Sequence, residues 1–249
     1  MSDRPRAIVV GASSGVGRSL ADELAARGYD LVVSARDHED VAAVATDLEL
    51  RHGVTVTPIV VDLNGPDDEL ELYVKRCLDV LPAVDAVLVP AGAIADDDDG
   101  SAAWSSATLL VTTNLLGVVK VAGRFVSQLE AQGGGTLVLF SSIAAATPRG
   151  RNVVYGAAKA GLEYFGRALQ HRFAGTPVHV QVYALGYVDT AMTRGMQLMF
   201  PVASPARVAR RVVAGLGEPV RVRYEPRYWG AIVRVLRLLP WPVYRRLRF

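Results

Sequence analysis

At 249 residues and 51% apolar, the chain can bury a large core and falls in the range where an α/β sheet protein stays one domain. A single cysteine, Cys77, excludes an internal disulfide and a cysteine-rich metal cluster, so no metal site is expected, and it suits a reducing compartment. The net charge is only +2, yet residues 207–249 carry eleven arginines against Glu218 and Glu225, a bias that suits either an anionic partner or an ordinary solvated surface.

In chain order, the N-terminal residues run into an apolar strand, Ala7 to Val10, without the long apolar stretch and cleavage site of a secretory signal. A cytoplasmic location is therefore expected. Further apolar runs at Leu31 to Val33, Val54 to Val61, Ala86 to Val89, Leu137 to Phe140 and Val178 to Val182 read as strands. Between them, Arg18 to Arg27, Val41 to Arg51, Leu70 to Val80, Leu115 to Ala131 and Gly156 to Phe173 have the Ala, Leu and charged content of helices. Strands apolar on both faces and separated by helices imply an α/β fold, a doubly wound parallel sheet with helices on both faces. No repeat or flexible linker divides the chain, so residues 1–249 are expected to form a single domain, with a core over 1–192 and an appended region over 193–249. The acidic run Asp96 to Gly100 reads as a solvated loop, and Cys77 as a small buried hydrophobe. No run of 18 uncharged apolar residues occurs, and Arg234, Arg237 and Pro240 break the most apolar late segment, which argues against a membrane span.

The first strand passes straight into Gly11-Ala12-Ser13-Ser14-Gly15-Val16-Gly17. Glycines at such a turn let the backbone approach a pyrophosphate, and the next helix aims its free amides at it. Gly11, Ser13, Ser14, Gly15 and Val16 are the candidate phosphate-binding residues, although glycines also serve a plain turn. Arg36, at the end of the second strand, suits a ribose 2′-phosphate and favours NADP(H) over NAD(H). The adjacent Asp37 would suit a free ribose hydroxyl instead. Asp62 and Leu63 follow the third strand, where a carboxylate can accept from an adenine amino group.

Tyr155 and Lys159 lie one helical turn apart on one face. A phenol near pKa 10 is a poor proton carrier at neutral pH, and a neighbouring cation brings it toward the working range. Lys159 is one of three lysines in a chain with 24 arginines, a composition that normally supplies arginine at a merely structural cationic position.

This ordered set resembles the short-chain dehydrogenase/reductase family, from Ala7 to about Met192. GASSGVG matches the family's glycine motif, Val61-Asp62 its adenine contact, Ala91-Gly92 the end of its fourth-strand motif and Asn114 its helix asparagine. Ser142 lies thirteen residues before Tyr155, as in that family, and Leu185-Gly186-Tyr187-Val188-Asp189-Thr190 matches the loop that clamps the nicotinamide, bringing Gly186, Val188 and Thr190 to the cofactor. The resemblance implies a Rossmann-type fold and a hydride transfer between nicotinamide and a small-molecule carbonyl or alcohol. Ser142 would hydrogen-bond the substrate oxygen, Tyr155 would move the proton, and Lys159 would bind the nicotinamide ribose and lower the tyrosine pKa. Asn114 would hold a relay water. Ser141 is the neighbouring candidate for the serine role, with spacing and strand alternation favouring Ser142. Val10, Val89-Pro90 and Leu185 depart from the family pattern and put the stiffness of the cofactor loops in question. The family's habit of pairing through long helices implies a homodimer or homotetramer, with Asn114 to Ala131 and Gly156 to Phe173 resembling that surface.

Beyond Met192, the residues Met196, Leu198, Met199 and Phe200 suit either a hydrophobic or lipid-like substrate or a helix packed on the core. The stretch Tyr228 to Phe249 mixes aromatic, aliphatic and arginine residues, as a peripheral membrane helix does, or packs against the core or another subunit. Trp229 and Trp241 are expected as packing anchors. The alternative from another class is a regulatory or scaffold protein that binds the cofactor without turnover, and nucleic acid is not an expected partner.

Overall fold

The computed structural model describes residues 4–101, 103–193, 200–219 and 222–247. Met196, Leu198 and Met199 therefore lie outside the described residues. The chain begins β1 (Arg6–Val10), α1 (Gly15–Ala26), β2 (Asp30–Ala35), α2 (His38–His52), β3 (Val56–Val60), α3 (Asp67–Val80) and β4 (Ala86–Val89). A continuous rod follows, made of α4 (Trp104–Val111), a π-helical turn at Thr112–Leu116 and α5 (Gly117–Ala131). Then come β5 (Gly135–Ser142), the short α6 (Ile143–Ala146), α7 (Val153–Arg172) and β6 (Val178–Leu185). A 3-10 turn at Ala191–Thr193, α8 (Pro205–Ala214), β7 (Arg223–Glu225), α9 (Tyr228–Leu238) and α10 (Trp241–Tyr244) complete the described elements.

The strands form one parallel sheet in the order β3-β2-β1-β4-β5-β6-β7. Strand alternation sends Ala7 and Val9 of β1 to one face and Ile8 and Val10 to the other. Ala7 and Val9 join a core with Leu20 and Leu24 of α1, Val44 of α2 and Val212 of α8. Ile8 and Val10 join a second core with Leu70 of α3, Val121 and Phe125 of α5 and Leu162 of α7. Both faces are covered, which is why the strands read as continuous apolar runs rather than as alternating ones.

Local signals set the helix ends. Asp37 caps α2 by accepting from the Asp40 amide at 3.0 Å, Glu39 and Asp40 follow in its first turn, and Gly53 ends it in the left-handed region at φ 64°. Ser204 and Pro205 start α8 in the same manner, with Ser204 Oγ accepting from the Arg207 amide. The rod Trp104–Ala131 is long and apolar enough to cross a membrane by composition, yet half of its most apolar window is buried in the fold. Its hydropathy is that of a helix packed on the sheet.

Three expectations change. The first helix begins at Gly15 rather than near Arg18, so the glycine loop is itself part of the helix start. The helix expected from Leu115 extends back to Trp104 through the π turn. The acidic run is not wholly solvated: Asp98 is only 4% exposed. Cys77 is buried as expected, and burial pushes its thiol up to about 12.

Candidate active site

The sheet order reverses between β1 and β4, and in an open parallel sheet a ligand crevice opens at that point beyond the C-terminal strand ends. A cavity of about 620 Å³ lies there. Arg36, Asp62 and Leu63, after β2 and β3, line it on the side of the sheet where those strands lie. Gly11, Ser13, Ser14, Gly15 and Val16 line it at the start of α1, with Ala91 and Gly92 after β4. Ser142, Tyr155 and Lys159 line it toward β5, with Gly186, Val188 and Thr190 following β6. Asn114, Asp37 and Phe200 are not on this wall.

The middle of the cavity is built for an anion. Gly11 takes φ +99°, and its amide and that of Ala12 donate to the Ser34 carbonyl at 2.7 and 2.8 Å, which folds the loop back over β2. Ser14 stands at the N-cap of α1 without a capping bond, so it leaves the first-turn amides to face outward with the positive end of the helix dipole. A β-carbon on Gly17 would meet the Gly11 carbonyl oxygen at 1.8 Å, so α1 sits against its own loop with no room for a side chain. These features fit a dinucleotide pyrophosphate. Arg36 is exposed at the cavity edge, whereas Asp37 is turned away to cap α2. Asp62 Oδ1 accepts from the Asn64 amide and side chain at 2.9 and 3.0 Å, which fixes the carboxylate on the wall.

At the other end, β5 delivers two serines with alternate directions. Ser141 Oγ donates to the Lys159 carbonyl at 3.1 Å and so ties β5 to α7. Ser142 Oγ accepts from the Ala144 amide at 3.2 Å and stands close enough to the Tyr155 phenol to favour its charged form. Lys159, 4% exposed, donates to the Phe140 carbonyl at 3.0 Å and lies 5.9 Å from the Tyr155 ring centre.

Burial is the largest influence on the Tyr155 phenol and raises it, with the Ser142 hydroxyl and the Arg149 charge pulling the other way. The Lys159 ammonium donates to the Phe140 carbonyl and is itself lowered to about 8 by burial. Asn114, expected at a relay water, is fully buried behind the loop after β4. Its side-chain amide donates to the carbonyls of Ala93 and Leu110 at 2.8 and 2.9 Å and accepts from the Ala93 amide at 3.1 Å, so it braces the loop after β4. Gly92 makes this possible, since a β-carbon there would stand 2.9 Å from Asn114 Oδ1 and 3.3 Å from Lys159 Nζ.

A buried lysine has a stability signature. Between about 8 and 10.5 the folded protein holds fewer protons on Lys159 than the unfolded chain does, so its contribution rises with pH across that window and the full cost is present below it. Without cofactor, Lys159→Met is therefore expected to stabilise the fold at pH 7 by up to about 3 kcal/mol, with the gap closing toward pH 10. Thermal unfolding of both proteins at pH 7 and 9.5 measures it, and a gap independent of pH would contradict it.

Sequence reading missed the support behind the third wall. The Gly186 amide donates to the Glu225 carbonyl of β7 at 2.9 Å, and a β-carbon on Gly186 would meet Trp229 Nε1 at 2.0 Å. Trp229, 4% exposed, is an anchor as expected, packed edge-on to Tyr187 and Phe200 at ring separations of 5.4 and 4.8 Å. Trp241 is 66% exposed in the single chain and stacks on Tyr244. The three residues of β7 are too few to carry a periodic signal. The tail also reaches the segment after Ser142: Arg237 Nε donates to the Ala146 carbonyl at 3.3 Å, and the Tyr244 hydroxyl bonds the Pro148 carbonyl.

Comparison with known proteins shows the family and the fold. A family model described as short chain dehydrogenase matches residues 5–199. An uncharacterised oxidoreductase of Mycobacterium tuberculosis is 30% identical, covering 96% of this chain and 96% of its own. Among solved structures, actinorhodin polyketide ketoreductase with NADPH superposes with a TM-score of 0.78 at 24% identity, covering 88% of this chain and 92% of that one. An alcohol dehydrogenase from the archaeon Thermococcus sibiricus, complexed with 5-hydroxy-NADP, gives 0.78 at 24% identity over 99% and 100%. At that identity the two structures speak for the fold.

Proposed function

The chain belongs to the short-chain dehydrogenase family, and we propose that it transfers a hydride between NADP(H) and a small-molecule carbonyl or alcohol. The observation that carries this reading is the convergence of Ser142, Tyr155 and Lys159 on one wall of a cavity that reaches Arg36 past an uncapped helix start. When bound, the nicotinamide supplies or accepts the hydride. In the reducing direction Ser142 Oγ donates a hydrogen bond to the substrate oxygen, and the Tyr155 phenol gives that oxygen its proton. Lys159 gives up the Phe140 carbonyl to hold the nicotinamide ribose, which places a cation beside the phenol as its charge develops. Asn114 acts by keeping the loop after β4 in place.

Arg36 supports the phosphorylated cofactor, because it is exposed at the cavity edge while Asp37 is spent on a helix cap. Both solved relatives named above were determined with an NADP-type nucleotide. A hydrophobic or lipid-like substrate is supported by the apolar side chains of Ile94, Leu185, Val188 and Met192, which line the cavity together with Ser142 and Tyr155. For partners, we favour pairing into a homodimer or homotetramer through the α4–α5 rod and α7, where Trp104, Leu116 and Tyr164 are exposed. Exposed Leu238, Trp241 and Leu247 among arginines support a peripheral membrane contact of an otherwise cytoplasmic protein.

Titration of nicotinamide fluorescence with NADPH and NADH tests the cofactor. Wild type is expected to bind NADPH at least tenfold more tightly, and Arg36→Ala to lose that preference with little change for NADH. Equal binding of both by wild type would overturn the role given to Arg36. Binding of NADPH with no reduction across a panel of hydrophobic ketones would point to the scaffold instead.

A further inference from the structure

The four aspartates before Gly100 include one that solvent barely reaches. Asp98 is 4% exposed and meets the N-terminus of α7, the helix that carries Tyr155 and Lys159. Its carboxylate accepts from the Val154 amide at 2.7 Å through Oδ1 and from the Tyr155 amide at 2.9 Å through Oδ2. Its main-chain carbonyl accepts from the Asn152 and Val153 amides at 2.7 and 3.4 Å. Every amide from Asn152 to Tyr155 thus ends on this one residue, and the first intrahelical bond is that of Gly156 to the Asn152 carbonyl. A helix normally meets these donors with its own N-cap side chain or with water. Here Asn152 stands at the N-cap in the left-handed region, φ 56°, and its side chain makes no capping bond.

The cap therefore comes from a different part of the chain. Asp98 belongs to the segment between β4 and α4, whose Ala93, Ile94 and Asp96 line the cavity and whose Ala93 is pinned by Asn114. We propose that Asp98 is a positioning residue: by capping α7 from the cavity-lining loop, it fixes the turn that aims the Tyr155 phenol at Ser142 and holds that loop against the site. Tyr155 is the residue whose own amide ends on Asp98 Oδ2, so a loose cap displaces the phenol before any other group in the site. The negative charge also lies on the positive end of the helix, where it is favourable.

The proposal rests on the reading of Tyr155 as the proton carrier, and its test separates the two. Protein labelled with 13C at the tyrosine ζ carbon reports each phenol by NMR, with the Tyr155 signal assigned by its loss in Tyr155→Phe. In wild type, burial holds this phenol above 10; Ser142, Arg149 and Lys159 are the groups around it. Asp98→Ala is expected to lower its titration midpoint by at least half a pH unit. Freeing the phenol from its buried seat acts in that direction, and burial, the largest influence on the group, outweighs the loss of the Ser142 contact, which acts the other way. Asp98→Ser, which keeps one acceptor oxygen, is expected to recover part of the shift. Asp99→Ala, in the exposed part of the same run, is expected to leave it unchanged. NADPH binding, measured by fluorescence, is expected to keep its stoichiometry and stay within threefold in all three. For any ketone that wild type reduces, kcat of Asp98→Ala is expected to fall at least tenfold with KM within threefold. An unshifted Tyr155 signal in folded Asp98→Ala overturns the proposal, and so does a loss of NADPH stoichiometry that Asp98→Ser does not restore. If wild type reduces no ketone while the Tyr155 signal shifts as described, the positioning stands and the proposed reaction fails.

Discussion

Tyr155→Phe is expected to lower turnover by about 10²- to 10⁴-fold, the range a positioned proton carrier supplies, while NADPH binds within about twofold of wild type. The ring keeps its place, so the loss is confined to the phenolic oxygen that meets Ser142. Ser142 is a poor substitute, because an aliphatic hydroxyl ionises far above a phenol and its oxygen already accepts from Ala144. The nearest group with a titration close to the working range is Lys159, at about 8, but its ammonium faces the Phe140 carbonyl. Steady-state kinetics beside a fluorescence titration of NADPH make the measurement. A loss in kcat with intact binding supports the assignment of the proton to Tyr155. Activity within tenfold of wild type would mean that Lys159 or solvent carries the proton, and would remove the reason for the Ser142–Tyr155 contact.

The parts of this molecule that were legible in its sequence are those with local signatures. Six strands were visible because a doubly covered parallel sheet makes each one a short apolar run, and their helices because Ala, Leu and charged residues fill the gaps. The glycine loop, Arg36, Ser142 and the Tyr155–Lys159 pair were visible because their chemistry fixes spacing along the chain. What the sequence hid depends on contacts between distant segments. Asp98 sits in a run of four acids, and only the arrival of α7 distinguishes it from Asp97 or Asp99. The hold of the Asn114 side chain on Ala93 spans 21 residues and leaves no local pattern. Burial, the largest influence on the Tyr155 phenol, is likewise set by the fold and not by the spacing to Lys159. Trp229 and Trp241 look alike in sequence, and only the packing on Gly186 separates the buried one from the exposed one.

The same substitution at two helical glycines is expected to act in opposite directions. Gly17, in α1, has backbone on the side where a β-carbon would go: the Gly11 carbonyl oxygen at 1.8 Å and its carbon at 2.8 Å. No side chain can rotate away to make room, so Gly17→Ala must push α1 off the end of β1 or reopen the loop from Gly11. Overpacking of this kind costs at least about 1–3 kcal/mol, and it acts where the pyrophosphate is to be held. Gly17→Ala is therefore expected to weaken NADPH binding by more than about a hundredfold and to lower the Tm by several degrees. Gly123, in α5, has nothing within 4 Å of its would-be β-carbon. There alanine only removes the entropic penalty of a helical glycine, so Gly123→Ala is expected to stabilise by about 0.5–1 kcal/mol and to leave NADPH binding unchanged. Thermal unfolding with and without NADPH reads both. If Gly17→Ala binds NADPH like wild type, α1 can re-seat without disturbing the loop, and the close contact with Gly11 is not what shapes the phosphate site.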